Sequence, residues 1–210
     1  MKDVTTDPQK VERILHTAMV IFGQQGFIKS KTDDIAAQAG VSKGLIFHYF
    51  GNKQSLYIDT YHAAFDRLYT LVDQQVWTDA TSLTDMVTRA TRYKIKMQLE
   101  YPVEFRFLMQ AYIDTPHFPP RLQKEMRTMM QRTQEIGNGY IADMMKKIQL
   151  RPGVQMADVL AVVNAVTSSI MLQAQHAIAA NHYTKIEDLE SLIADIDRQL
   201  TVVEHGFLPD

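Results

Sequence analysis

Apolar residues recur at steps of three and four along nearly the whole chain, the spacing of one face of an α-helix, and no alternating strand pattern interrupts them. Val11, Ile14, Leu15, Ala18 and Phe22 mark a first helix, with Pro8 in its first turn and Gly26 just past its end. Two short helices are predicted next. One covers residues 34–38 and stops near Gly40; the other runs over residues 43–50 and stops at Gly51. A fourth is predicted from Lys53 past Trp77, on a stripe that includes Leu56, Phe65, Leu68 and Leu71. Residues 83–99 and 103–113 follow, closed by Pro102 and Pro116, since a proline removes a donor and clashes with the preceding turn. A long helix over residues 121–149 holds Gly137 and Gly139, which predict a kink or a close helix contact. Residues 156–181 and 186–203 bring the count to about nine helices, an all-α fold.

The segment 35–49, IAAQAGVSKGLIFHY, has the logic of a helix-turn-helix. Ala36 and Ala39 are small where two helices must cross. Gly40 can take the left-handed conformation that ends the first helix. Ser42 is a good N-cap for the second, and Val41 with Ile46 fits a hydrophobic staple. Ile46 and Phe50 then face inward, which leaves Lys43, Gly44, Phe47 and His48 outward. Such a face suits base edges in the major groove. Gly44 permits close backbone approach to DNA, and free N–H groups at a helix start can hold a phosphate. Lys53, opening the next helix, can do so from the other side.

Residues 14–56, with FGQQGF and TDDIAAQAGVSKGLIFHYFGNKQSL, resemble the N-terminal domain of the TetR family of repressors. The match rests on the IA…AGVSKG core, the Tyr49–Phe50 pair and the Asn52, Lys53 start, and it covers about a quarter of the chain. The resemblance implies base reading by Lys43, Gly44, Leu45 and Phe47, and phosphate clamping by Tyr49, Lys53 and Thr32. Ser42 and His48 are expected beside them. The family commonly has Ser or Thr where Lys31 stands. Here the Ser30-x-x-Asp33 spacing is expected to cap instead, freeing Lys31 for a phosphate. Leu45 and Phe47 stand where the family often has Thr or Asn and Tyr. Two apolar groups there suggest contacts to thymine methyls. The implied organisation is a DNA-binding domain over residues 1–53 and a ligand-binding and dimerisation domain over 54–210. The implied partners are a double-stranded, palindromic DNA operator, an apolar or amphipathic small-molecule effector and a second copy of the chain.

Charge adds little. Residues 1–53 carry a net +2 and the rest −4, within a total of −2. The chain has no cysteine, so it has no disulfide, thiolate metal site or cysteine nucleophile. No apolar leader precedes the first helix, which predicts a cytoplasmic chain. The apolar stretch 156–180 contains Asp158, Asn164, Gln173, Gln175 and His176, costly in hydrocarbon, and is expected to be a helix buried on most sides and no membrane span. With its small Ala157, Ala161 and Ala165 and with the last helix, it is expected to build a four-helix dimer interface. Val166 and Ile170 contribute from one helix, Leu189, Leu192, Ile193, Ile196 and Leu200 from the other.

Ten of the twelve methionines lie between Met86 and Met171, among several aromatics, which suits either a pliable core or an adaptable pocket. Tyr93, Met97, Phe105 and Met109 are expected at the pocket, with Tyr112, Met130, Gln173 and His176. Gln110, Asn138 and Asn164 are further polar candidates, while Glu104 and Asp143 are expected at the surface. No HExxH, nucleophile elbow or glycine-rich phosphate loop is present, so an enzyme is unsupported and no cofactor or metal is expected. A DNA-bound protein regulated by a protein partner is the alternative to a ligand-responsive repressor.

Overall fold

The computed structural model describes residues 7–73, 75–146, 150–181, 183 and 185–205. Among them are ten α-helices and two 3-10 turns: α1 Pro8–Lys29, α2 Thr32–Ala39, α3 Lys43–Phe50, α4 Lys53–Tyr69, α5 Gln75–Thr78, α6 Leu83–Glu100, α7 Pro102–Asp114, a turn at Thr115–His117, α8 Pro120–Met145, α9 Met156–Asn181, a turn at Ile186–Leu189, and α10 Glu190–His205. The chain forms two compact units. The first takes residues up to 72 with Tyr101–Met130, the second residues 73–100 with 131 onward.

The first unit, the head, is built around α1, which packs on α7, α4 and α2. The Tyr57 ring sits edge-on to Phe22, Phe27, Phe107 and Phe118 at 4.8–5.3 Å between centroids, the separation aromatic pairs prefer. Its hydroxyl is buried without a partner, and burial pushes its pKa up. Gly23 lets α7 come close: a Cβ there would lie 3.2 Å from the Phe107 backbone. Leu56, Tyr57, Tyr61 and Ala64 of α4 belong to the same core as Ile14 and Phe22.

α1 is kinked, not ended, at Gly26, whose φ of 73° favours glycine. The kink turns the Phe27 N–H out of the helical ladder, and Asp114 Oδ2 accepts it at 2.9 Å. Gln110 Nε2 donates to the other oxygen of Asp114 at 2.8 Å, so Gln110 is committed to the core scaffold. Glu104 is buried, against expectation, because Arg67 of α4 reaches it at 3.1 Å and supplies the charge that a carboxylate out of water requires.

α4 stops at Tyr69, short of Trp77. Its buried positions end at Ala64, and Leu71 is exposed, so no packing holds a further turn. The expected kink or contact at the α8 glycines is not found at Gly139, where a Cβ would meet nothing within 4 Å.

The second unit, the body, gathers Leu83, Met86, Val87 and Ile95 of α6 with Val163, Ile170 and Ala174 of α9 and Leu189, Ile193 and Leu200 nearer the chain's end. Polar ties join α6 to α10. Glu204 accepts from the Thr84 hydroxyl, and Arg92 engages Glu190 with both amino groups. Trp77 stacks on Tyr140 at 5.3 Å and meets Tyr93 edge-on.

α9 is long and apolar enough by length and composition to cross a membrane, and little of it is buried within the single chain. Val163, Ile170 and Ala174 are its buried positions, because the body covers it on one side only. The expected dimer residues also divide. Ile170, Leu189, Ile193 and Leu200 are buried in the body's own core, so they are not available to a second copy; Val166 and Leu192 are half-buried. The side chain of Ile196 lies outside the described residues. On these two helices the exposed large apolar side chains include Val162 and Leu172 of α9 and Val202 and Val203 of α10.

Candidate nucleic-acid interface

α2 ends where Gly40 adopts φ 63° and ψ 39°, and its N–H closes back on Ala37. Arg13 of α1 donates from Nε to the Ala39 carbonyl at 2.6 Å, which satisfies an orphan acceptor at that helix end. Ser42 then caps α3, its Oγ accepting from the Leu45 N–H at 3.2 Å. Ile46 and Phe50 are buried, and Val41 packs on the same core. The two helices are thus fixed from beneath, and the upper face of α3 is left free.

That face carries Lys43, Gly44, Phe47 and His48, all exposed, as the spacing predicted. Phe47 shows 40% of its surface, with the Lys43 ammonium 6.0 Å from its ring centroid. Around Gly44 the space is open, with only Ser42 Oγ near a hypothetical Cβ, at 3.9 Å. A groove wall can therefore approach the backbone. Lys43 Nζ lies 2.9 Å from Asp33 Oδ2 of α2, an exposed pair worth at most about 1 kcal/mol, so a phosphate can replace the carboxylate.

Other expected residues sit differently. Leu45 is half-buried and offers part of its side chain. Tyr49 is half-buried, and its hydroxyl accepts the Asp7 N–H at 3.2 Å, an internal tie to the start of α1. Lys53 lies over the Phe27 ring at 4.5 Å with its ammonium directed at the Ile28 carbonyl, and desolvation lowers its pKa. Thr32 is buried, so what it offers a phosphate is its backbone at the start of α2. Lys31 is exposed at the N-cap of α2, where no side chain caps. The expected Ser30 cap is wrong: Ser30 Oγ is buried and donates to the Gly26 carbonyl at 2.6 Å, so it closes the end of α1.

The expected pocket residues are not brought together. On α7, Glu104, Phe107 and Ala111 take the buried side, so Phe105, Met109 and Tyr112 fall opposite; Tyr112 is 68% exposed. Met130 packs on the head, its sulfur 3.8 Å from the Thr115 hydroxyl. In the body, Tyr93 meets Trp77, Met97 is buried, and Gln173 and His176 are exposed on α9, Gln173 bonding Ser169. An open cleft of about 540 Å3 lies between α1 and α4, with Val11, Leu15, His16, Met19, Ala63 and Arg67 in its walls, and none of the expected residues lines it. No group of three or more His, Asp or Glu side chains with metal-binding geometry occurs among the described residues.

Three residues that set the interface were missed. Arg13, Gly23 and Asp114 act through contacts 26, 84 and 87 residues away, and local spacing carries no trace of such partners.

A short helix capped by serine, buried on one side and presenting Lys43, Gly44, Phe47 and His48 on the other, has the form of the second helix of a helix-turn-helix. Residues 14–60 match the model of the bacterial regulatory proteins, tetR family. It is 34% identical over 80 residues to the HTH-type transcriptional regulator HbdR of Aromatoleum sp. (strain CIB), across 36% of this chain and 35% of that protein. It is 25% identical over 133 residues to RutR of Escherichia coli (strain K12), across 63% of this chain and 62% of that one. The chain therefore spans less than two thirds of these curated relatives. In fold it is similar to the transcriptional regulator FadR from Bacillus subtilis, solved in complex with stearoyl-CoA, with a TM-score of 0.68 and 13% identity over 94% of this chain and 99% of that one. Each of these proteins is named a transcriptional regulator.

Proposed function

We propose that the chain is a ligand-responsive repressor that acts in the cytoplasm, binds a palindromic operator as a homodimer, and is released by a small, mostly apolar effector. The observation that carries this reading is the uncovered apolar surface of α9 and α10, with Val162, Leu172, Val202 and Val203 exposed in a single chain. A face of that kind on a monomer marks an association site. A two-fold contact of one face with itself gives two recognition helices related by the same axis, and a two-fold operator follows. Half-sites are then spaced by about one helical turn, roughly 34–36 Å, or a small multiple.

The effector must bind the DNA-free state more tightly than the DNA-bound state, by a coupling typically of about 1–3 kcal/mol. Stearoyl-CoA is the first compound to try, since it is bound in the Bacillus subtilis structure of the same fold. The experiment combines sedimentation at micromolar concentration with titration of the DNA-bound protein. A monomer overturns the reading. A dimer that keeps its operator whatever apolar compound binds the body turns the reading toward regulation by a protein partner.

A further inference from the structure

Helix α6 carries polar groups that its surroundings leave unanswered. Thr91 is fully buried, yet its hydroxyl has no hydrogen-bond partner, and neither do the Thr88 hydroxyl and the Gln98 carbonyl oxygen. This is unusual within the chain itself. Thr17, Thr60, Thr128 and Thr201 each donate to the carbonyl four residues back, the usual resort of a threonine in a helix. At 3.6 residues per turn, positions 91, 94 and 98 fall on one side of α6, with Thr88 a turn earlier.

Position 94 is a lysine. Every other cation on α6 is paired: Arg89 with Asp85, Arg92 with Glu190 and Lys96 with Glu100. Lys94 has no such partner among the described residues. Lys94 is exposed, and desolvation of its ammonium lowers its pKa. On the same flank Ala90 and Met97 are buried while belonging to neither apolar core. A cation without a counter-charge, beside two hydroxyls and an amide oxygen without partners and apolar groups without a core, has the chemistry of a binding site.

We propose that Thr91, Lys94 and Gln98 recognise the anionic head of an amphipathic effector, with Ala90 and Met97 beside its apolar part. The effector's carboxylate or phosphate supplies the charge Lys94 lacks and an acceptor for the Thr91 hydroxyl, and the Gln98 amide adds a donor. This inference rests on the effector-responsive reading and specifies the class of effector.

The test titrates the full-length protein with dodecanoate, dodecyl phosphate and uncharged dodecanol, following calorimetry and the fluorescence of Trp77, the single tryptophan. At least one anion binds tenfold or more tighter than the alcohol, and which anion does so tells carboxylate from phosphate. Lys94→Met abolishes that preference and Lys94→Arg keeps most of it. Thr91→Val, close in shape, weakens the anion severalfold and raises the melting temperature of the ligand-free protein, because it removes an unanswered hydroxyl. Equal binding of alcohol and anions, a preference that survives Lys94→Met, or no Lys94-dependent binding of either anion overturns the proposal. If alcohol and anions bind alike and release operator DNA, the stripe fails and the effector reading stands. If an anion binds through Lys94 and leaves operator affinity unchanged, the stripe stands and release by effector fails.

Discussion

The head and the body have similar apolar residue types and bury them very differently. In the head, α1, α4 and α7 each send large side chains into one core, where Phe22, Tyr57 and Phe107 are fully covered. In the body, α9 has 26 residues, of which Val163, Ile170 and Ala174 are buried. The head closes its own core, although Met109, Tyr112 and Ile113 of α7 stay exposed and the Tyr57 hydroxyl is unpartnered. The body leaves part of its apolar surface uncovered and part of its polar groups unpartnered, which is the state expected of a module finished by another molecule. Under the proposed function the same division separates the part that would read DNA from the part that would associate and hold an effector.

The comparison breaks most visibly in the head core. Phe107→Ala is expected to cost about 3–5 kcal/mol in denaturant unfolding, the range for emptying a buried aromatic site. A loss below about 1 kcal/mol would show that the ring cluster is not the keystone of the head. Gly26→Ala is expected to cost about 1–3 kcal/mol, since alanine must adopt φ 73° and its Cβ would fall 2.5 Å from Asp114 Oδ2. Combining it with Asp114→Ala removes the clash and not the backbone strain, so a thermodynamic cycle separates the two.

The body answers to association. Leu172→Glu places a charge on the exposed face of α9 and is expected to weaken self-association at least tenfold, about 1.4 kcal/mol, by sedimentation across a dilution series. The unfolding free energy of the dilute monomer should stay within about 0.5 kcal/mol of the parent, as for other surface changes. An unchanged dimer would place the interface elsewhere. On the DNA face, Gly44→Asp puts a negative charge where a groove wall must approach, with at least a tenfold loss of operator affinity expected and no change in melting temperature. Retained affinity would mean that α3 does not enter the groove. The smallest effect is expected at Lys53, already occupied by Phe27 and the Ile28 carbonyl. Lys53→Ala should weaken binding to all DNA sequences alike and lower the salt slope by about one unit. No change in slope would confine Lys53 to its internal role.

What the sequence made legible was what local spacing encodes. Gly40, Ser42, Ile46 and Phe50 act within a few residues of one another, so cap, turn and inward face followed from the pattern. The exposed quartet of α3 followed too, as what remained. Ser30 misled because an S-x-x-D spacing resembles a cap, whereas a carbonyl left by the α1 kink competes for the same hydroxyl. The body was less legible. Leu189, Ile193 and Leu200 form a clean helical stripe, and a stripe does not say whether the chain's own core or a second copy covers it. Met109 and Tyr112 were drawn to a pocket by composition alone, while the orientation of α7 is set by Phe107 against Gly23.

The bond from Asp114 to the Phe27 amide also bears on how the protein is made. A ribosome emits the chain from its N-terminus at about 5–20 residues per second. The helix-turn-helix is therefore outside long before Phe107, Asp114, Phe118, Leu122 and Met126, which complete its core, have been synthesised. During that interval Phe22, Phe27 and Tyr57 are without their partners, and the nascent segment is a natural client for chaperones. A fragment that ends where the DNA-reading sequence ends would remain in this unfinished state. The shortest autonomous reader of DNA would have to carry the chain through α7 and into α8, and translation pauses placed before that point would lengthen the period in which the protein is open to aggregation.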